Sequence, residues 1–372
     1  MNTANSRPLR LVHTEASCGW GGQEIRILEE ARGLIARGHD VCLLCPPEAR
    51  IHAEAPRFDV PAYPLPIGRK RLAGMLALRQ WLAQQRPEVI NTHSSTDSWL
   101  SGLACATLAN PPSIVRTRHI SAPIAVNVAS RWLYRQSARH IVTTGEALRQ
   151  TLIDDFKLSP DAVTSVPTGI DTQRFTPGDK VAARQALGLE AKVNYLGIVA
   201  TLRSWKGHLD LLDAFAALDL PNWHLLIVGE GPMRDNIVAK ISALRLDDRV
   251  RLVGQRNDPE NWLRAFDIFC LPSYANEGVP QAVIQAMLSG LPIVTTPVGA
   301  ILEAVSDDRT ALIAPPRDAA ALKEALCRVM SNPVLAQRIG KAARAYAVSH
   351  FAREGMLDRM EAIFWKARHE HA

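Results

Sequence analysis

The stretch PTGIDTQRFTPGDK, Pro167–Lys180, decides the fold of this 372-residue chain. It is rich in Pro, Gly, Thr and Asp, residues that turn the chain and interrupt periodic structure. Before it, short apolar runs alternate with longer amphipathic ones: LRLVHTE, DVCLLC, EVINTH, SIVRTRH and HIVTTG read as strands. Helical patterns follow most of them, such as QEIRILEEARGLIARG, which ends on Gly38 as helices commonly do. After it the alternation restarts with VNYLGIVATL, HLLIVG, RVRLVG, DIFCLP and PIVTTP. Strands alternating with helices imply a parallel sheet wound with helices. The chain therefore reads as two α/β halves joined by a hinge, residues 1–167 and 168–350. From Pro333 the tail reads as helix throughout, and its last part, 351–372, is expected to cross back to the first half. Ligands of open α/β sheets bind outside the carboxyl ends of the strands. Two such sheets facing each other would share one site in the cleft between them.

Composition bounds the function. Hydrophobic residues make up 47% and charged residues 22%, a soluble globular balance. MNTANSRPLR at the N-terminus lacks the apolar core of a signal peptide, and no apolar run approaches the ~20 residues of a membrane span. A cytoplasmic protein is expected. Six cysteines fit a reducing compartment. Cys42 and Cys45 lie an odd distance apart on one strand, so their side chains should face opposite ways, which argues against a CxxC site. Eleven scattered histidines form no ligand cluster, and no metal is expected. The formal charge is +6 and uneven: residues 1–166 carry 19 Lys and Arg against 14 Asp and Glu, the remainder 24 against 23. The first half is thus suited to an anionic partner.

Four stretches after strands could carry chemistry. EASCGWGGQE places Gly21 and Gly22 before a helix, where backbone N–H groups can approach a phosphate. It is not GxGxxG, and no acid ends the second strand, so a nicotinamide enzyme is disfavoured. A plain tight turn explains this loop equally well. TLRSWKGH sets Arg203 and Lys206 three apart on a tight loop, able to grip one diphosphate; the alternative is a solvated basic loop. VGEGPMRD carries Gly229 and Gly231, which a βα turn with Pro at the first helical position also explains. PSYANEGVPQAVIQAMLSG puts Glu277 at the edge of a loop before a helix that Pro280 starts. A carboxylate there can accept hydrogen bonds from sugar hydroxyls, or merely cap the helix.

Together these stretches resemble the retaining glycosyltransferases of family 4, with the two-domain GT-B fold. The resemblance runs almost end to end, through GGQE, RGHDV, RTRH, PTGIDTQRFTP, LRSWKG, VGEGP, VGQRND, SYANEGVPQAVIQAM and SGLPIVTTPVGAILE. RTRH and HSSTDSW look most like the bacterial members that build lipopolysaccharide and other surface polysaccharides. The resemblance implies an N-terminal Rossmann-like acceptor domain and a C-terminal Rossmann-like nucleotide-sugar domain. It implies that Arg203 and Lys206 grip the donor diphosphate and that Glu277 holds donor-sugar hydroxyls. Gly21, Gly22, Gly229, Gly231, Arg256, Gly278 and Val279 fall on the donor side, and His119 beside the donor sugar. His93 falls on the acceptor side. Gln285 departs from the pattern, which has Glu there to hold the nucleotide ribose. An amide keeps one acceptor oxygen and loses the charge.

The implied activity is transfer of a sugar, with retention, from a nucleotide sugar to a hydroxyl of a lipopolysaccharide core or other surface glycan. The expected donor is a UDP-sugar, used as substrate, with no cofactor. The expected acceptor is lipid-linked or phosphorylated. GRKRLAGMLALRQWLAQQ, Gly68–Gln85, and SRWLYRQSAR, Ser130–Arg139, could rest on an anionic membrane surface, making the protein peripheral on the inner face of the cytoplasmic membrane. A GT-B nucleotide-sugar epimerase and a non-catalytic relative acting as a partner protein are the rival readings. Nucleic acid is not an expected partner, since no aromatic-interleaved basic motif appears.

Overall fold

The computed structural model describes residues 7–119, 122–218 and 220–369. Most of the N-terminal MNTANSRPLR stretch, residues 1–6, lies outside them. The chain divides into two compact units: Met1–Gly169 with Glu354–Ala372, and Ile170–Arg353.

The first unit holds a seven-stranded sheet. Its strands are β1 (Arg10–Thr14), β2 (Asp40–Cys45), β3 (Ala62–Pro64), β4 (Val89–Thr92), β5 (Ser113–Arg118), β6 (His140–Thr143) and β7 (Val163–Ser165). All pairs are parallel, in the order β3-β2-β1-β4-β5-β6-β7. Sequence order therefore reverses direction between β1 and β4. Helices cover both faces, and the inner strands β1, β2, β4, β5 and β6 bury side chains on both sides, as parallel sheets require. Cys45 joins one core cluster and Cys42 packs on another, so the two thiols do face opposite sides of β2. The helix Arg353–His369 closes the first of these clusters with Met356, Leu357, Met360 and Phe364.

The second unit holds six parallel strands: β8 (Asn194–Val199), β9 (Trp223–Val228), β10 (Val250–Gly254), β11 (Ile268–Leu271), β12 (Ile293–Thr295) and β13 (Leu312–Ile313). Their order is β10-β9-β8-β11-β12-β13, so the direction reverses between β8 and β11. Crevices for ligands form at such reversals, because successive helices leave on opposite faces of the sheet.

Every strand expected from the apolar runs is present. Three more, β3, β7 and β13, are two or three residues long, too short to show a period, and β3 includes Pro64 at a sheet edge where a missing donor is tolerated. The tail is not helical throughout. Phe351 and Ala352 break it between helices Pro333–His350 and Arg353–His369. At this break Ile170 N–H donates to the Phe351 carbonyl at 2.8 Å and Arg353 N–H to the Ile170 carbonyl at 3.0 Å, so the hinge strand replaces the helix hydrogen bonds.

Candidate active site

In the second unit polar side chains gather at the reversal point. The loop after β8 continues into a short 3-10 turn, Ser204–Lys206, and then the helix His208–Ala216. The loop after β11 leads into the helix Gln281–Leu288, whose N-cap is Pro280 rather than its first residue. β8 and β11 are hydrogen-bonded neighbours, so the two loops leave side by side. They meet in a polar cluster. Lys206 Nζ lies 2.6 Å from Glu277 Oε1, and Ser273 Oγ donates to the same oxygen at 2.5 Å. The Glu277 side chain is 5% exposed and that of Lys206 17%. The loops are also tied backbone to backbone, Tyr274 N–H to the Trp205 carbonyl at 2.8 Å. Asn276 takes a left-handed φ of 56°, which Asn tolerates, and this turn brings Glu277 back over the sheet.

The other expected residues of this unit divide. Arg203 is exposed, its guanidinium 5.7 Å from the Trp205 ring, and does not join the Lys206 and Glu277 cluster. Gly229 and Gly231 have φ of 146° and 159°, and a Cβ there would come within 1.9 Å of the Ala200 carbonyl and 2.7 Å of the Leu202 carbonyl. Their bare backbones thus let the β9 loop pack under the one that carries Arg203. Leu202 N–H donates to the Glu230 carbonyl at 3.0 Å across this contact. Val279, expected on the donor side, has its side chain buried in the core. Gly278 is half-buried beside it. Arg256 is exposed and lies 5.6 Å from the Trp262 ring. Gln285 sits beyond the first turn of its helix, half-buried, and its side chain makes no hydrogen bond among the described residues. His208 opens the helix after Lys206; burial and then the Lys206 charge lower its pKa to about 4.

In the first unit, histidines gather at the carboxyl ends of the three strands around the reversal. His13 is in β1, His93 follows β4 and His119 follows β5. His13 Nδ1 is 2.9 Å from His93 Nε2, and His93 Nδ1 is 2.9 Å from His119 Nε2. Burial lowers all three pKa values, that of His13 to about 3, with Arg26 adding to the effect. Asp97 anchors His93: it accepts from the His93 N–H at 2.9 Å and from Thr14 Oγ1 at 2.6 Å. Asp97 also closes a capping box with Ser94 on the helix Ser95–Ala106. Burial raises its pKa. Gly21 is the N-cap and Gly22 the first residue of the helix Gly22–Ala36. Glu15 brackets the loop before it, accepting from Ser17 N–H at 2.7 Å and from the Gln23 amide. Burial, then the Asp97 charge, pushes Glu15 up to about 8.

Sequence reasoning passed over His13, Glu15, Asp97 and Ser273. The S-x-x-D spacing from Ser94 to Asp97 was a readable capping signal. A histidine closing the apolar run RLVH was another, since a lone polar ring at a strand end needs a partner. Nothing local marked Ser273.

The sequence matches a known class. Residues 20–174 fit the family described as Glycosyltransferase Family 4, and residues 179–346 fit Glycosyl transferases group 1. The chain belongs to this glycosyltransferase family, and its two parallel-sheet units are those of the GT-B fold.

Among individual proteins, it is 29% identical over 283 residues to a D-inositol 3-phosphate glycosyltransferase of Saccharomonospora viridis, covering 72% of this chain and 62% of that one. It is 30% identical over 213 residues to the lipopolysaccharide core biosynthesis mannosyltransferase LpsB of Rhizobium meliloti, covering 55% of this chain and 58% of that one. Both alignments therefore span about six tenths of the relative's length. Among solved structures, Anabaena Alr3699/HepE in complex with UDP superposes with a TM-score of 0.82 at 19% identity, over 96% of this chain and 100% of that one. Among the described residues no helix is long and apolar enough to cross a membrane.

Proposed function

We propose that this protein is a retaining glycosyltransferase. It moves a sugar from a UDP-sugar to a hydroxyl of a lipid-linked or phosphorylated surface glycan, such as a lipopolysaccharide core. The observation that carries this is the buried cluster of Lys206, Glu277 and Ser273 at the reversal point of the second sheet. The names of the relatives support a glycan or phosphorylated acceptor, and the Anabaena complex supports UDP.

Charge accounting assigns the roles. Glu277 already neutralises much of Lys206, so the pair offers the donor a fixed dipole more than a net charge. Arg203, exposed and in no ion pair among the described residues, supplies the uncompensated cation. As the glycosidic bond breaks, charge accumulates on the departing diphosphate. Arg203, Lys206 and the N–H groups opening helix Gln281–Leu288 stabilise it without reorganising. Glu277, held by Ser273, keeps its carboxylate aimed and accepts from sugar hydroxyls. The acceptor hydroxyl attacks from the face the diphosphate leaves, and a phosphate oxygen takes its proton. The protein orients and stabilises more than it exchanges protons. The family pattern gives His119 a place beside the donor sugar and His93 one on the acceptor side.

The membrane reading has a surface to act through. Leu72 and Leu76 are 69% and 51% exposed, next to exposed Arg69, Lys70 and Arg71. Trp81 does not belong to it, since its ring is half-buried against Tyr63. This surface supports the reading of a cytoplasmic protein that touches the inner membrane face. Calorimetry with UDP-, GDP-, ADP- and CMP-sugars tests the donor assignment. Binding of a UDP-sugar that Arg203→Ala and Lys206→Ala abolish is expected; binding of none by the wild type would sink the reading.

A further inference from the structure

We propose that His13 and His93 are positioning residues that fix the tautomer of His119, so that His119 presents Nδ1–H as a hydrogen-bond donor. The role rests on His119 meeting the donor sugar, as proposed above. The three imidazoles form one continuous chain across the neighbouring strands β1, β4 and β5, with 2.9 Å between nitrogens at both links and ring centroids 5.2 Å apart in both pairs. Each N···N contact between neutral rings holds one proton and only one. Two arrangements are therefore self-consistent. In the first, all three rings carry Nδ1–H, and each of the first two donates to the next ring towards His119. In the second, all three carry Nε2–H and the donation runs towards His13.

The sealed end decides between them. His13 is fully buried, and its Nε2 has no hydrogen-bond partner among the described residues. The second arrangement would place an N–H there with no acceptor, whereas the first leaves only a lone pair. Buried orphan N–H groups are the rarer defect. The charged group acting on His13 is the Arg26 guanidinium, itself buried, and a cation favours a lone pair over an N–H. The Phe364 ring meets His13 edge to face at 6.4 Å and offers no lone pair. The other end is less sealed: His119 is half-buried, whereas His13 is fully buried. His119 thus offers a proton to an oxygen, a sugar hydroxyl or phosphate oxygen, and does not abstract one from the acceptor. His13 and His93 reach no ligand in this scheme and act only through His119.

The test is long-range 1H–15N correlation of the histidine side chains in the full chain at neutral pH without nucleotide. The three signals are assigned by their loss in His13→Gln, His93→Ala and His119→Asn. Nδ1–H on all three rings is expected. Nε2–H on His119, or a mixture there, would overturn the inference. In His93→Ala, water can enter beside His119, and its single tautomer should become a mixture; retention of pure Nδ1–H would show that the chain does not set it. The wild-type spectrum stands even if a variant fails to fold. The measurement needs no donor, so the transferase reading can fail in the calorimetric panel without touching this result, and the reverse also holds.

Discussion

Removing the Lys206 ammonium should destabilise the second unit, and removing the Glu277 charge as well should restore part of the loss. At 2.6 Å the pair attracts by roughly 6 kcal/mol for an effective dielectric of about 20. Desolvation of two ions cancels most of that, so the intact pair contributes little net stability. Breaking one side is different, because it leaves a charge buried without its partner, at a cost of about 3–5 kcal/mol in a sealed site. Here Lys206 is 17% exposed and Ser273 still holds Glu277, so water and the hydroxyl offset part of the cost. A loss of about 2–3 kcal/mol follows for Lys206→Met. For a unit of this size that lowers the melting temperature by roughly 4–12 °C. The assay is urea unfolding of wild type, Lys206→Met, Glu277→Gln and the double variant, without nucleotide. The double variant should be more stable than the summed single losses by about 2 kcal/mol. Additivity within about 0.5 kcal/mol would refute the reasoning, since it would mean that the two groups do not sense each other in solution.

Three other outcomes are expected. His208 has a folded pKa of about 4 against an ordinary 6.5, so the unfolded chain binds its proton first, and stability is lost as pH falls from about 6.5 to about 4. That loss is on the order of 3 kcal/mol, and His208→Leu should remove it from the difference between the two acid-unfolding curves. Gly231→Ala brings a Cβ to 2.7 Å from the Leu202 carbonyl at a φ of 159°, and should cost about 2 kcal/mol or more while weakening donor binding through the displaced Arg203 loop; unchanged thermal melting would contradict it. Gln285→Glu restores a charged acceptor on a half-buried position without a side-chain partner, and should tighten donor binding by about 1 kcal/mol in calorimetry. Weaker binding would mean that the amide N–H, not its oxygen, meets the nucleotide.

The sequence by itself determined the fold class, because strand and helix periods are local. The runs around LRLVHT, VINTH and NYLGIV each bury both faces, and a residue's neighbours two or four positions away suffice to show it. It also placed the loops that carry Lys206, Glu277, His93 and His119, since each follows a strand end. Only the tertiary structure decided which of these side chains meet. Lys206 and Glu277 are 71 residues apart, and His13 and His93 are 80 apart. They touch because the sheets run β8-β11 and β1-β4, orders that no local pattern encodes. The same order set His119 against His93 and His93 against His13, while the tertiary packing left Arg203 outside the Lys206 cluster and the Val279 side chain in the core. Local hydrophobic spacing fixes what an element is, whereas the balance of burial over the whole sheet fixes what stands beside it.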